Sequence, residues 1–169
     1  MSEKKTYYKL TNTDRTTHDG FVWEIGKWYE ADGTGDLCGP GWLHFYHSAD
    51  MAVLMNPGHA NITNPLLWEA ECEGKSLDVH GLKIGWTRAR IVREIPLPEW
   101  SLEQKIIFGI LCAKMVYHDA SWNEWADRWL NGYNRTKEAA RAAEAAAWAA
   151  RTLEGKINFQ EIIAKAKLY

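Results

Sequence analysis

The sequence predicts an α+β protein: an N-terminal twisted antiparallel β-rich domain with one short helix, then a C-terminal bundle of about four helices. The first observation behind this fold class is a change of composition near Pro96-Leu97-Pro98. Before it, short runs of β-forming residues alternate with turn residues, whereas helix-forming residues dominate after it. The second is that 46% of the 169 residues are hydrophobic and 25% are charged, which is typical of a globular chain. We therefore expect a β-rich domain over residues 1–98 and a helical domain over residues 99–169.

Six segments of the β-rich domain have the composition of strands. They are Thr6–Leu10, Phe21–Ile25, Lys27–Glu30, Trp42–Tyr46, Leu66–Glu73 and Leu82–Ile95. Gly85 predicts a bend in the last and longest of them. Ser48 is a suitable N-cap, so a short helix should follow it and end at Pro57-Gly58.

Cap residues place the first two helices of the C-terminal domain. The capping box Ser101-Leu-Glu-Gln104 predicts a helix from Leu102 to about Tyr117, and its nearly all-round apolar surface is typical of a buried helix. Ser121 predicts the cap of a second helix, one face of which carries a tryptophan stripe. The stripe consists of Trp122, Trp125, Ala126 and Trp129. Such a stripe either packs in the core or lines a pocket for a planar ligand.

An alanine-rich helix is predicted over residues 135–154. One of its faces is mainly alanine, so another helix, including that of a second copy, could approach it closely. The opposite face is charged and carries Trp148 between Arg141 and Arg151. Trp148 either covers neighbouring side chains or anchors another chain, in which case Trp148, Arg141 and Arg151 bind the partner. A last helix should begin after Asn158.

Global composition argues against several classes of partner. The net charge of −2 gives no reason to expect a nucleic acid or an anionic membrane surface. No apolar run approaches the roughly 18 residues of a membrane span, and the opening residues MSEKKTYYKL contain no apolar segment of a signal peptide. The three cysteines are far apart, which is typical of a reducing compartment. We expect a cytoplasmic protein.

The sequence carries no phosphate-binding glycine loop, nucleophile elbow or zinc-protease motif. One cluster of metal-type residues stands out along the chain. It consists of Cys38, His44, His47 and His59. Residues three apart on a strand point to opposite faces, so His44 and His47 would not readily bind one ion. We expect these histidines to form hydrogen bonds, with no metal and no cofactor.

Acidic side chains alternate along one predicted strand and therefore share a face. They are Glu69, Glu71 and Glu73. The last predicted strand carries a second set on one face, Trp86, Arg88 and Arg90, and Arg93 should lie on its other face. The carboxylates either pair with the arginines across the sheet or line a polar cleft in which a glutamate acts as base. The interleaved acidic residues argue against a nucleic-acid surface here.

Four phrases of the chain are familiar together and in order: GFVWEIGKWYE, LCGPGWLHFYHSAD, LWEAECEG and TRARIVREIPLPEW. They resemble an uncharacterised family encoded by bacteriophages and bacterial prophages. The resemblance implies a short twisted β-rich domain followed by a variable tail, which is often rich in alanine and tryptophan. It implies no established activity.

The run GWLHFYHSADMAVLM resembles the NAD-binding segment of small ADP-ribosyltransferases. In that family an early His or Arg holds NAD, an aromatic residue with Ser or Thr follows, and a late acidic residue acts in catalysis. This resemblance implies Tyr46 and Ser48 for the middle role and Glu69 or Glu71 for the last. The early position departs from the family, because Tyr8 and Lys9 stand where His-Gly would be expected.

Three functions follow from these observations. The first is a phage-type accessory protein, not an enzyme, that binds a host or defence-system component in the bacterial cytoplasm. The second is a small NAD-dependent ADP-ribosyltransferase with Tyr8, Tyr46, Ser48, Glu69 and Glu71 at its site. The third is a self-assembling structural protein, a homodimer formed through the alanine-rich helix.

Overall fold

The computed structural model of the chain describes residues 5–79, 81–133, 135–136 and 157–169. The chain divides into two units, Met1–Pro98 and Glu99–Tyr169. Five strands form one antiparallel sheet in the described part of the first unit, and four helices are described in the whole chain. The predicted α+β class is therefore confirmed.

The sheet is built around one long hairpin. Its strands are β1 (Tyr7–Thr11), β2 (Tyr29–Glu30), β3 (Leu43–Phe45), β4 (Leu66–Val79) and β5 (Lys83–Ile95). Their order is β1-β4-β5-β2, and β3 also pairs with β5. A separate bridge between Tyr8 and Tyr46 joins the residue after β3 to β1.

Two irregularities in the β4–β5 pairing change the side-chain pattern. Near the start of β4, Glu69 lies opposite Arg93 whereas Ala70 lies opposite Ile91. Val92 is thus an extra residue, and a bulge of this kind brings Arg93 to the face that carries the glutamates. The expectation that Arg93 lies on the other face is therefore wrong.

The second irregularity separates Trp86 from the arginines. Between the pairs Glu73–Arg88 and Ser76–Trp86, two residues of β4 oppose one residue of β5. The indole of Trp86 packs against the core, with its centroid 5.3 Å from that of Tyr7, whereas Arg88 lies elsewhere, against Trp28. The prediction that Trp86 shares a face with Arg88 is therefore wrong.

The predicted strand Phe21–Ile25 is not a strand. Within it, only Val22 forms a bridge, to Thr16, and a 3-10 turn at His18–Gly20 precedes it. Gly20 and Gly26 flank the segment with φ angles of +72° and +80°, which an extended strand does not allow. The segment is a loop.

The helix of the first unit, α1 (Ala49–His59), begins as predicted, because Ser48 Oγ accepts a hydrogen bond from Met51 N. It runs past Pro57, which lacks only the one N–H that would bond to the carbonyl four residues earlier. Asn56 holds the end of the helix: its carbonyl accepts from Ala60 N, and its side chain bonds to both backbone groups of Ile62.

The second unit contains α2 (Leu102–Lys114), α3 (Ala120–Leu130) and α4 (Phe159–Ala166). The Ser101–Gln104 capping box of α2 and the Asn158 cap of α4 are confirmed. The cap of α3 is Asp119, whose carboxylate accepts from Trp122 N at 2.8 Å. The prediction of Ser121 as cap is wrong, because its hydroxyl donates to Asp119 instead.

The middle of helix α2 is buried on all sides, as its nearly all-round apolar surface predicts, because the consecutive residues 107–110 are all buried. Ile107, Phe108 and Ile110 are buried, but Leu102 at the start is exposed. The helix ends at Lys114, because Met115 N and Val116 N bond to the carbonyls of Cys112 and Ala113, only three residues back. No described helix is long and apolar enough to cross a membrane.

The core of the first unit is aromatic. One described cluster of its buried residues consists of Tyr7, Trp23, Phe45, Trp68, Ala70, Ile84, Ala89 and Ile91. One charged group is enclosed beside it: Lys9 on β1 is 8% exposed, and its Nζ lies 4.7 Å from the centre of the Trp23 ring.

Candidate functional site

A ladder of ion pairs covers the face of the hairpin opposite the core. It consists of Glu69–Arg93, Glu71–Arg90 and Glu73–Arg88. Arg90 and Glu71 approach to 2.6 Å, and Arg93 donates to both carboxylate oxygens of Glu69 at 2.6 and 2.7 Å. The sequence left two interpretations of these carboxylates open, pairing with arginines across the sheet and a polar cleft. The observed geometry is that of cross-strand pairing.

Trp28 lies across two rungs of this ladder. The guanidinium carbons of Arg88 and Arg90 lie 4.2 and 4.7 Å from the centre of its ring. Glu30, two residues later, also pairs with Arg88 at 3.3 Å. The ring therefore covers one side of these ion pairs, whose side chains stay 27–44% exposed, and gains cation–π attraction from both arginines.

A second feature of the first unit is the loop of residues 18–26, which we call the apolar loop. Trp23 anchors it, since its side chain is 1% exposed and its indole N–H donates to Thr17 Oγ1 at 3.3 Å. The hydroxyl of Tyr29 donates to Val22 O at 3.0 Å and accepts from Glu24 N at 3.1 Å. Gly26 N donates to Ile91 O at 2.8 Å, which fixes the loop against β5.

The apolar loop exposes the side chains that a core would normally take up. Val22 and Ile25 are 49% and 51% exposed, and Phe21 is 39% exposed although its ring packs edge-on against Tyr29. Val92 is exposed as well, one residue beyond the carbonyl that accepts from Gly26. These residues form an ordered, exposed apolar surface, which is typical of a protein-interaction site.

Sequence reasoning missed this surface, because it assigned Phe21–Ile25 to a strand. A signal was present: Gly20 and Gly26 bracket the segment, and paired glycines around a short apolar run favour a loop with positive φ angles. Trp28 was missed too, since nothing local predicts that two arginines on a distant strand lie beneath it.

The structure brings together part of the set expected for an ADP-ribosyltransferase. Tyr8 N donates to Tyr46 O at 3.0 Å, Tyr46 N donates to Tyr8 O at 2.8 Å, and Glu69 is the partner of Tyr8 across β1 and β4. Ser48 follows two residues after Tyr46, where its hydroxyl caps α1. The hydroxyl of Tyr46 also lies 3.2 Å from His59 Nδ1, and the two rings stack.

Both carboxylates of that set neutralise an arginine. Glu69 pairs with Arg93 and Glu71 with Arg90. Either glutamate would have to exchange its partner before it could act as a base or stabilise a developing positive charge.

The metal-type residues hold separate partners. His44 Nε2 bonds to Leu37 O, and burial lowers the pKa of this imidazole to about 4. His47 Nε2 lies 2.7 Å from Asp78 Oδ2, and the Cys38 thiol accepts from Lys83 Nζ at 3.5 Å. Among the described residues, no group of three or more His, Cys, Asp or Glu side chains could hold a metal ion.

Lys9 is the most perturbed cation of the described chain. Its Nζ donates to His44 O at 2.9 Å and faces the rings of Trp23 and Phe45. Burial lowers the pKa of Lys9 to about 7, with a smaller lowering from Lys83 and an opposing effect of Cys72. Burial likewise raises the pKa of the Cys72 thiol, so both groups favour their neutral forms.

The tryptophan stripe of α3 divides into a buried and an accessible part. Trp129 is 3% exposed and Ala126 is buried, whereas Trp122 and Trp125 are half-buried. Trp125 borders a cavity of about 620 Å³ whose described lining also includes Ser121, Glu124, Arg128 and Tyr133. Trp129 and Ala126 thus pack in the core, which is one of the two interpretations of the stripe, whereas a pocket for a planar ligand stays a prediction.

The residues predicted to bind a partner, Arg141, Trp148 and Arg151, lie outside the described residues, as does most of the predicted alanine-rich helix. Their role stays a prediction.

Comparison with known proteins identifies one relationship for the first unit. A family model described as a domain of unknown function (DUF7666) matches residues 5–103. No curated protein and no solved structure matches the chain.

Proposed function

We propose that the chain, which belongs to the DUF7666 family, acts by binding another protein and not by catalysis. The resemblance to phage and prophage sequences suggests the partner, a host or defence-system component in the bacterial cytoplasm. The observation that carries the proposal is the apolar loop of residues 18–26, which is both ordered and exposed.

Several separate contacts fix the conformation of the apolar loop. Asp19 in the loop and Arg15, three residues before it, have φ angles of 58° and 64°, which are costly for residues other than glycine. The hydrogen bonds of Trp23 and Tyr29 hold the chain in this conformation. A loop that is already fixed loses little conformational entropy when it binds, so more of its contact energy appears as affinity.

Exposure of the loop has no role in folding. Val22 and Ile25 would each gain about 1 kcal/mol or more by leaving water, yet half of each side chain stays in solvent. A partner that offers an apolar pocket would recover this free energy. An aliphatic pair beside the ring of Phe21 fits such a pocket better than it fits a small polar substrate.

The test is a capture experiment with a matched control. The tagged chain is incubated with lysate of a bacterium that carries the gene, and bound proteins are identified by mass spectrometry. The double variant Val22→Asp/Ile25→Asp should lose the captured protein, whereas Leu168→Asp, which changes an 86% exposed leucine of the second unit, should retain it. Capture that survives the double variant, or no specific capture by the unaltered chain, would overturn the proposal.

A second contact region is proposed at Trp148, Arg141 and Arg151, as the sequence predicts. Trp148→Ala should weaken partner capture, or dissociate a homodimer if the alanine-rich helix pairs with its copy. Light scattering after gel filtration separates these two results. No change in either association or capture would remove Trp148 from the interface.

The alternative function is an ADP-ribosyltransferase with NAD as co-substrate. The specific observation in its favour is that Tyr8, Tyr46 and Glu69 are neighbours through backbone pairing. Calorimetry with NAD and an automodification assay with labelled NAD test it. Binding that is lost in Tyr46→Ala or Glu71→Gln would support the transferase; no heat and no label from a folded sample would exclude it.

A further inference from the structure

The apolar loop covers a buried amine of the first unit. Lys9 on β1 is 8% exposed, and its Nζ lies 4.7 Å from the centre of the Trp23 ring and 5.0 Å from that of Phe45. One of its N–H groups donates to His44 O at 2.9 Å. Aromatic faces attract an ammonium group, but they replace only part of the solvation that water gives it. A proton on Lys9 is therefore more stable where Nζ reaches water.

The two rings that enclose Lys9 differ in how the backbone holds them. Phe45 is fully buried on β3, whose backbone pairs with β5. Trp23 lies in the apolar loop, which is not a strand and is held by separate hydrogen bonds, such as the one from Gly26 N to β5. Displacing the loop breaks fewer backbone contacts than displacing a strand, so water should reach Lys9 by way of Trp23.

We propose that protonation of Lys9 shifts the apolar loop from its closed conformation towards an open one, in which the ammonium group reaches water and Val22 and Ile25 no longer form an ordered surface. A partner that recognises the closed loop would then bind more weakly as the pH falls. The role of this surface in partner binding rests on the proposed function, whereas the opening of the loop does not.

Several titratable groups lie on the elements that pack around Lys9. They are Cys72 on β4, Lys83 on β5 and His44 on β3, together with His18 of the apolar loop and Asp50 and His59 of α1. Burial lowers the pKa of Lys9 to about 7, while Cys72 opposes this effect and Lys83 adds to it. Burial also lowers the pKa of His44 to about 4 and raises that of Cys72, so both stay neutral near pH 7. We therefore assign the proton uptake near neutral pH to Lys9 and not to His44 or Cys72.

Hydrogen exchange of single amides, followed by NMR in the full chain, measures the opening without any partner. Trp23 N donates to Arg15 O and Gly26 N donates to β5, so both amides exchange when the loop opens. After division by the intrinsic exchange rate, opening should be about tenfold more frequent at pH 7 than at pH 8.5, and it should level off below pH 7, where Lys9 is also protonated in the closed loop. The amide of Gly132, at the end of α3, should show no such change.

Lysine variants test whether Lys9 is the cause. Lys9→Met removes the titrating group, so the opening should become independent of pH. Lys83→Gln removes a charge that lowers the pKa of Lys9, so the levelling should begin at a higher pH. Lys75→Gln, which changes an exposed lysine of β4, is the matched control and should keep the pH dependence of the unaltered chain.

Low urea separates opening of the loop from unfolding of the whole unit. Local opening exposes little surface, so about 0.5 M urea should barely change it, whereas global unfolding responds to urea. Three results would overturn the proposal: opening that does not change with pH, opening with the urea dependence of global unfolding, or an unaltered pH dependence in Lys9→Met or, if that variant does not fold, in Lys83→Gln. None of them affects capture by the Val22→Asp/Ile25→Asp variant, so failure here and failure of the proposed partner surface are distinguishable.

Discussion

On the core side of the sheet, one ammonium group, that of Lys9, is enclosed by aromatic rings and donates to the backbone carbonyl of His44. On the other side, three arginines and four glutamates form partly exposed ion pairs beneath Trp28. The outer side has many charges, but water still solvates them. The inner side has one charge, that of Lys9, which water does not solvate. We therefore expect the burial of a side chain, and not the number of charges around it, to determine how much a substitution changes stability.

The largest effect should come from Trp23, which joins the aromatic core to the apolar loop. Trp23→Ala removes a ring that touches Phe21, Tyr29 and Phe45 and covers Lys9. We expect a loss of about 3–5 kcal/mol in the free energy of unfolding, because the void cannot close completely. Urea unfolding followed by circular dichroism measures it, and a loss below about 1 kcal/mol would contradict the packing described.

The next effect is the pH dependence that Lys9 imposes. The pKa of Lys9 is about 7 in the folded chain and 10.5 in the unfolded chain. Between these two pH values the unfolded chain therefore binds more protons than the folded chain. Stability should therefore rise with pH, by about 1–2 kcal/mol between pH 7 and 8.5. Above about pH 9 the trend should reverse, because burial raises the pKa of the Cys72 and Cys112 thiols and the unfolded thiols ionise first.

A variant isolates this contribution. Lys9→Met keeps an unbranched side chain of similar length between the rings but removes the titrating group. The difference in unfolding free energy between the two proteins should then change with pH over the same window. If the two curves run parallel from pH 7 to 8.5, Lys9 is not the source of the dependence.

Trp28 should have a smaller effect than Trp23, although both are tryptophans of neighbouring segments. Trp28→Ala exposes the Arg88 and Arg90 ion pairs to water and removes two cation–π contacts. We expect a loss of about 1 kcal/mol, and Trp28→Phe should restore part of it. Equal losses for Trp23→Ala and Trp28→Ala would contradict the contrast between the two sides of the sheet.

The smallest effect belongs to a single rung of the ladder. A double-mutant cycle of Glu71→Gln and Arg90→Gln should give a coupling of about 0.5 kcal/mol, which decreases as salt is added. A coupling above about 2 kcal/mol that salt does not change would mean that the rung behaves as a buried pair.

Features that depend on a few neighbouring residues could be predicted from the sequence. Ser48, Ser101 and Asn158 cap their helices as expected, because a cap needs only a side chain and the N–H groups of the next turn. The cap of α3 shows the limit of such predictions. Asp119 and Ser121 are both suitable N-cap residues, and it is the Asp119 carboxylate that accepts the hydrogen bond from Trp122 N.

Features set by contacts between distant segments could not be predicted. The pleat alone places Arg93 away from Glu69, and only the extra residue Val92 in the hairpin reverses this. The candidate surfaces divide in the same way. The tryptophan stripe of α3 was visible from helical spacing, whereas the position of Trp28 over Arg88 depends on the pairing of β2 with β5.

The two ends of the sheet have a consequence for how copies of this protein meet other strands. At one end, β1 has the backbone groups of Tyr8 bonded to Tyr46, and at the other, β2 is only two residues long. A foreign strand therefore finds little to pair with at β1 or β2. Among the described residues, the edge that remains is on β4, because β1 pairs only with Leu66–Ala70 and leaves residues 71–79 without a strand on that side. An added strand would pair there, whereas recognition at the apolar loop should depend on side chains such as Val22 and Ile25.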